Sequence, residues 1–98
     1  MSNSHPQVVL VTGASSGIGR AVALKFAAAG ADVVVVSRTA ENSEKIANEI
    51  RALGRKGWAF AVDVSDAAAV SAAAEKILAE TSRVDVLVNN AGVTRDGL

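Results

Sequence analysis

This chain of 98 residues has no cysteine and no tyrosine, one proline, one histidine and one tryptophan. Without cysteine it can form no disulfide, no thiolate metal site and no thiol nucleophile, which fits a reducing compartment. Ten basic and ten acidic residues cancel, and no basic stripe runs along any predicted helix, so the electrostatic footprint of a nucleic-acid binder is missing. No apolar run approaches membrane-spanning length. The opening Met1-Ser2-Asn3-Ser4-His5-Pro6 lacks the basic stretch and apolar core of a secretory leader. These absences lead us to expect a cytoplasmic protein with neither nucleic-acid nor membrane partners, and to read His5 as inert.

What the chain has in quantity is apolar side chain. Hydrophobic residues make up 50% of it, too many for a disordered segment. Its length suits one small domain with little stability to spare. The apolar residues are organised around Val8-Val9-Leu10-Val11-Thr12-Gly13-Ala14-Ser15-Ser16-Gly17-Ile18-Gly19-Arg20. There a β-branched run breaks into three glycines, with helical periodicity directly behind them. Gly13 allows a sharp turn out of the strand, Gly17 lets main-chain amides approach a pyrophosphate, and Gly19 lets the helix pack close to the strand. The unpaired amides of the first helical turn would face the anion, with Ser15 and Ser16 adding hydroxyl donors. A plain turn between a strand and a helix is the alternative.

Three more rounds of strand and amphipathic helix follow, the pattern of a parallel sheet built from β-α-β units. The first helix is expected over about Gly17 to Ala29, with Ile18, Val22, Phe26 and Ala29 on one face and Gly30 as its stop. The second strand is Asp32 to Ser37, whose four consecutive valines suit a strand covered on both faces. The second helix starts near Ala40 with Thr39 as cap, turns Ile46, Ala47, Ile50 and Leu53 inward, and stops at Gly54. Trp58 to Val62 forms the third strand, with Trp58 a packing residue. The third helix opens at Ser65 or Asp66, presents Val70, Ala73, Ala74, Ile77 and Leu78 at helical spacing, and ends near Thr81. Val84 to Val88 is the fourth strand. Right-handed crossovers place the first two helices on one face and the third on the other, giving an α/β fold of Rossmann type with strand order 3-2-1-4. Its ligand crevice lies beyond the carboxyl ends of the first and fourth strands, where the glycine loop, Arg38, Asp63 and Asn90 all fall.

Arg38 follows the second strand, where the adenosine ribose of a dinucleotide lies. A carboxylate there would bond a free 2′-hydroxyl, whereas a guanidinium can fork onto a 2′-phosphate, so Ser37-Arg38-Thr39 points to NADP(H) over NAD(H). A solvated surface arginine is the alternative. Asp63 could accept from the adenine amino group while the Val64 amide meets the ring edge; an acid near a helix start is the competing and compatible reading. Asn90 can bridge main-chain groups through its donor and its acceptor, and Asn89 reads as structural.

Thr12 to Gly19, spaced Gly-x-x-x-Gly-x-Gly, resembles the cofactor loop of the short-chain dehydrogenase/reductase family. Asp63-Val64 and Asn89-Asn90-Ala91-Gly92 match that family's motifs after the third and fourth strands. The resemblance implies cofactor contacts at Asp63 and Val64 and nicotinamide-side contacts at Asn90, Ala91 and Gly92. The tail Val93-Thr94-Arg95-Asp96 further resembles the family's 3-oxoacyl-acyl-carrier-protein reductases, which reduce a β-ketoacyl thioester with NADPH in fatty acid synthesis. Ser16 stands where those reductases often place an arginine, leaving Arg38 more of the charge to carry. The implied partner is a small-molecule or carrier-bound carbonyl substrate, and the implied full-length assembly a homo-oligomer. The alternatives are a short-chain alcohol or sugar dehydrogenase of the same family and, as a different class, a non-catalytic nucleotide-binding module.

The family's catalytic serine, tyrosine and lysine have no match in these residues, and no catalytic or metal-binding residue is assigned. The chain reads as the N-terminal dinucleotide-binding part of one incomplete domain. Its fourth strand would lie inside a larger sheet, leaving Val86, Leu87 and Val88 short of cover and the isolated chain marginal in stability or self-associating.

Overall fold

A computed structural model describes residues 6–14 and 17–90. The elements follow in the order β1 (Val8–Thr12), α1 (Gly17–Ala28), β2 (Asp32–Ser37), α2 (Ala40–Ala52), β3 (Gly57–Ala61), α3 (Ala67–Thr81) and β4 (Val86–Asn89). The strands form one parallel sheet in the order β3-β2-β1-β4, as the crossover argument requires. β3 and β4 start one and two residues from the expected positions.

β2 is buried along its whole length, which explains its unbroken valine run: the two helical layers bury alternate side chains of the same strand. Val33 and Val35 join Val9, Val11, Ala23, Ala27, Ile46 and Ile50 under α1 and α2. Val34 and Val36 join Val8, Val62 and Ile77 on the α3 side.

The inward face of α1 differs from the expected one. Its buried residues are Gly19, Ala23 and Ala27, spaced four apart on one stripe. Ile18 is 71% exposed, Ala29 is exposed, and Val22 and Phe26 only flank the core. Proximity selects small residues here: a Cβ on Gly19 would overlap the Gly13 carbonyl oxygen and lie 2.8 Å from the Ala14 Cα. The helix therefore rests against the bend through its smallest side chains, and its larger ones are pushed to the flank.

On α2 the buried residues are Ser43, Ile46, Ala47 and Ile50, whereas Leu53 is 50% exposed. Leu53 is the C-cap, already turned out of the helical face, and its N–H bonds to the Ile50 and Arg51 carbonyls. Thr39 caps the other end, accepting from Asn42 N at 3.3 Å.

On α3 Asp66 is the N-cap, accepting from Ala68 N and Ala69 N. Only Ile77 is buried, while Val70, Ala74 and Leu78 are exposed and Ala73 is half-buried. α3 stands off the sheet, leaving an apolar groove of about 300 Å³ lined by Leu10, Val36, Val70, Ile77 and Leu87 among others. Leu87 is 63% exposed and Val86 and Val88 are half-buried, in line with the incomplete cover expected for this strand. Among the described residues β4 pairs only with β1.

Candidate functional site: the crevice at the carboxyl ends of the strands

Parallel strands deliver their carboxyl ends to one edge, and the described candidate residues gather there. Gly13 leaves β1 at φ +63°, a left-handed conformation suited to glycine. The following residue turns back over the sheet, with Ala14 N donating to Val36 O at 3.2 Å. Gly17 opens α1, and a Cβ built there meets nothing within 4 Å. Among the described residues no neighbour fills the space beside Gly17. The three glycines thus do different work: Gly13 bends, Gly19 packs and Gly17 leaves room. Ile18 projects its side chain out of the core beside that opening. Ser15 and Ser16, and likewise Ala91 and Gly92, lie outside the described residues.

Asn90 follows β4 and its Nδ2 donates to the Gly13 carbonyl at 3.2 Å, joining the fourth strand's end to the glycine bend. Asn89 holds a structural position, its Oδ1 accepting from Thr12 Oγ1 at 3.0 Å. The ends of β1 and β4 are therefore tied by side chains as well as by the ladder.

Arg38 is exposed, one residue past the end of β2. Asp63 and Val64 are exposed just past β3. Asp63 is not the cap of α3. Its Oδ1 accepts from Ser65 Oγ at 2.6 Å and Ser65 N at 3.0 Å, a side-chain-closed turn. The Ser65 hydroxyl and then its N–H hold the Asp63 carboxyl below its usual range, with the nearby Arg38 charge adding to the effect.

Two features of this edge escape a sequence reading. Ser37 and Ser43 are buried with their Oγ atoms 2.5 Å apart. The only signal is that Ser43 shares helical spacing with Ile46, Ala47 and Ile50. Arg20, in the first turn of α1, forms a two-pronged ion pair with Glu49 of α2, Nε to Oε1 at 2.9 Å and a terminal nitrogen to Oε2 at 2.8 Å. That arginine is bound up in joining the two helices. No group of His, Asp and Glu able to hold a metal ion occurs among the described residues, and no described helix is long and apolar enough to cross a membrane.

Known proteins repeat this arrangement. A family model described as short chain dehydrogenase matches residues 7–98. An uncharacterized oxidoreductase of Mycobacterium tuberculosis is 51% identical over 89 residues, 88% of this chain and 26% of the relative. D-threitol dehydrogenase of Mycolicibacterium smegmatis is 47% identical over 91% of this chain and 34% of its own length. The 3-oxoacyl-[acyl-carrier-protein] reductase of Escherichia coli is 46% identical over 98% of this chain and 38% of its own. The crystal structure of a metagenomic short-chain oxidoreductase in complex with NADP superposes with a TM-score of 0.82 at 47% identity, covering 89% of this chain and 39% of that one. NAD+-bound xylitol dehydrogenase superposes with a TM-score of 0.80 at 28% identity, covering 87% and 33%. The chain spans between a quarter and two-fifths of the length of these relatives. With the family model matched from residue 7 to the last residue, and with the glycine bend, the 3-2-1-4 sheet and the asparagine tie in one crevice, this chain belongs to the short-chain dehydrogenase family.

Proposed function

We propose that these residues form the NADP(H)-binding part of a short-chain oxidoreductase that reduces a 3-oxoacyl thioester to its 3-hydroxyacyl form. The observation that carries the cofactor reading is Arg38, exposed one residue past β2 at the crevice edge, where a guanidinium can fork onto a 2′-phosphate. The open space at Gly17 supports a pyrophosphate beside the first turn of α1. In this reading Gly13, Ser15, Ser16, Gly17, Ile18 and Gly19 line the pyrophosphate. Asp63 and Val64 meet the adenine, and Asn90, Ala91 and Gly92 border the nicotinamide ribose. When bound, the nicotinamide supplies hydride to the carbonyl carbon. This chain's own part is to bind and orient, with the proton donor expected outside these residues.

The thioester substrate is favoured by the likeness to the Escherichia coli reductase and by Val93-Thr94-Arg95-Asp96. A polyol or sugar substrate is the second reading, favoured by the likeness to D-threitol dehydrogenase. A cytoplasmic location, a carrier-bound substrate and a homo-oligomeric whole protein belong to the same proposal. Calorimetric titration with NADPH tests its core. Gly17→Val should weaken binding by at least about tenfold, roughly 1.4 kcal/mol, in a variant whose melt is unchanged. Unaltered affinity would remove the loop from the phosphate site. Turnover of 3-oxoacyl thioesters against polyols by the enzyme carrying this chain separates the two substrate classes.

A further inference from the structure

The Asp63 carboxylate is held through one of its two oxygens. Oδ1 accepts from Ser65 Oγ at 2.6 Å and from Ser65 N at 3.0 Å. Among the described residues Oδ2, and the N–H of the next residue, Val64, have no hydrogen-bond partner. A fixed acceptor therefore stands one residue before an unused main-chain donor, both exposed just past β3. The Ser65 bonds also keep the carboxyl below its usual range, so at neutral pH it accepts and does not donate. Adenine presents the complementary pair on one edge, an amino donor beside a bare ring nitrogen. Hypoxanthine inverts both, with an oxo group for the amino group and an N–H for the bare nitrogen.

We propose that Ser65 is a positioning residue whose hydroxyl orients the Asp63 carboxylate toward the base of the dinucleotide and so sets selectivity for an amino purine over an oxo purine. The path of the chain does not depend on that hydroxyl. Asp66 N donates to Asp63 O at 3.0 Å, which closes the turn through the main chain, and Asp66 caps α3 with its own carboxylate. Without Oγ, Ser65 still reaches Oδ1 through its N–H, but a carboxylate held by one bond can swing about it, whereas two bonds to the same oxygen fix its plane. What the hydroxyl adds is therefore the direction in which Oδ2 points. Ser65 needs no contact with the nucleotide to supply it.

This inference rests on the reading that Asp63 and Val64 meet the adenine, and the test separates the two. The whole enzyme that carries this chain, with its Ser65→Ala, Ser65→Thr and Asp63→Ala variants, is titrated calorimetrically with NADPH and with the NADPH analogue that carries hypoxanthine for adenine. The parent should bind NADPH at least about tenfold tighter than the analogue, which leaves both polar groups of the site unpaired. Ser65→Ala should weaken NADPH by about three- to tenfold, the net scale of one hydrogen bond, and leave the analogue within about twofold. Ser65→Thr keeps the hydroxyl and should keep the parent's ratio of affinities. Equal weakening of both nucleotides in Ser65→Ala, or a ratio unchanged there while Asp63→Ala abolishes it, would overturn the positioning role and leave the adenine reading standing. If Asp63→Ala keeps the parent's ratio, the adenine reading itself fails, and the inference with it.

Discussion

Asp85 grips Val8 through both of that residue's main-chain groups: its Oδ2 accepts from Val8 N at 2.8 Å while its own N–H donates to Val8 O at 2.8 Å. The grip joins the entry to β4 with the first residue of β1. Arg83 reinforces it, bonding the same carboxylate and donating to Pro6 O at 2.7 Å. The Val8 N–H first, then the Arg83 guanidinium, hold the Asp85 carboxyl below its usual range.

A pH dependence follows from that shift. An unfolded aspartate titrates near pH ~3.9, and the folded one titrates lower, so its stabilisation is whole above about pH 4 and is lost as pH falls through the folded value. Urea melts taken at successively lower pH should therefore show acid destabilisation that is smaller in Asp85→Asn, whose side chain does not titrate. Part of the slope will remain, because the carboxyls of Asp63 and Glu49 are lowered too. Identical slopes in the two proteins would mean that the grip does not depend on charge.

Gly19 carries a second prediction. Its missing Cβ is what lets α1 approach the bend, since the atoms it would meet are main chain and cannot rotate aside. Gly19→Ala should cost about 1–3 kcal/mol despite alanine's better helix propensity. Chemical denaturation checks it, and a neutral or stabilising result would show that the helix can lift away.

The C-cap of α3 offers a stabilising change. Ser82 is the one non-glycine residue with positive φ, at +71°, among the described residues. Ser82→Gly relieves the left-handed strain at a position glycine prefers. It should raise stability by about 0.5–1 kcal/mol after the entropy that glycine adds to the unfolded chain. A lower thermal midpoint would contradict this.

Leu87 and Val35 should behave oppositely although both are aliphatic strand residues. Val35→Ala, fully buried between β2 and the helices α1 and α2, should cost about 2–3 kcal/mol. Leu87→Lys places charge on an exposed position of the edge strand and should leave the melt nearly unchanged while reducing concentration-dependent association. Sedimentation at two concentrations tests it. Equal association in parent and variant would locate any self-contact elsewhere.

The sheet was readable in advance because its strongest signal is local and redundant. Four adjacent valines admit little but a doubly covered strand, and the crossover rule then orders the others. Periodicity misplaces the α1 face because it ranks residues by hydrophobicity, whereas the close approach at Gly19 selects them by size. Leu53 and Leu78 share helical spacing with buried residues, yet Leu53 has left its helix's face and Leu78 lies where α3 stands off the sheet. The bend at Gly13 and the close packing at Gly19 are legible because each meets a geometric demand visible in spacing, whereas the tie from Asn90 is legible only as the bonding capacity of an asparagine at a strand end. The pairing of Ser37 with Ser43 is not, since a buried hydroxyl pair leaves no pattern until the strand and the helix are side by side. The partnership of Arg20 with Glu49 is likewise a matter of which helices are neighbours.

β4 is pinned to β1 at both extremities, by Asp85 on Val8 and by Asn90 on the Gly13 carbonyl. Slippage of the strand by a single residue would carry Asn90 about 3.3 Å along the sheet and turn Leu87 and Val88 to opposite sides. Two latches of different chemistry, one a carboxylate and one an amide, forbid that movement. β1 therefore serves as a ruler: the outgoing end of β4 stands at one height above the bend, and any molecule bound there meets both at a constant separation.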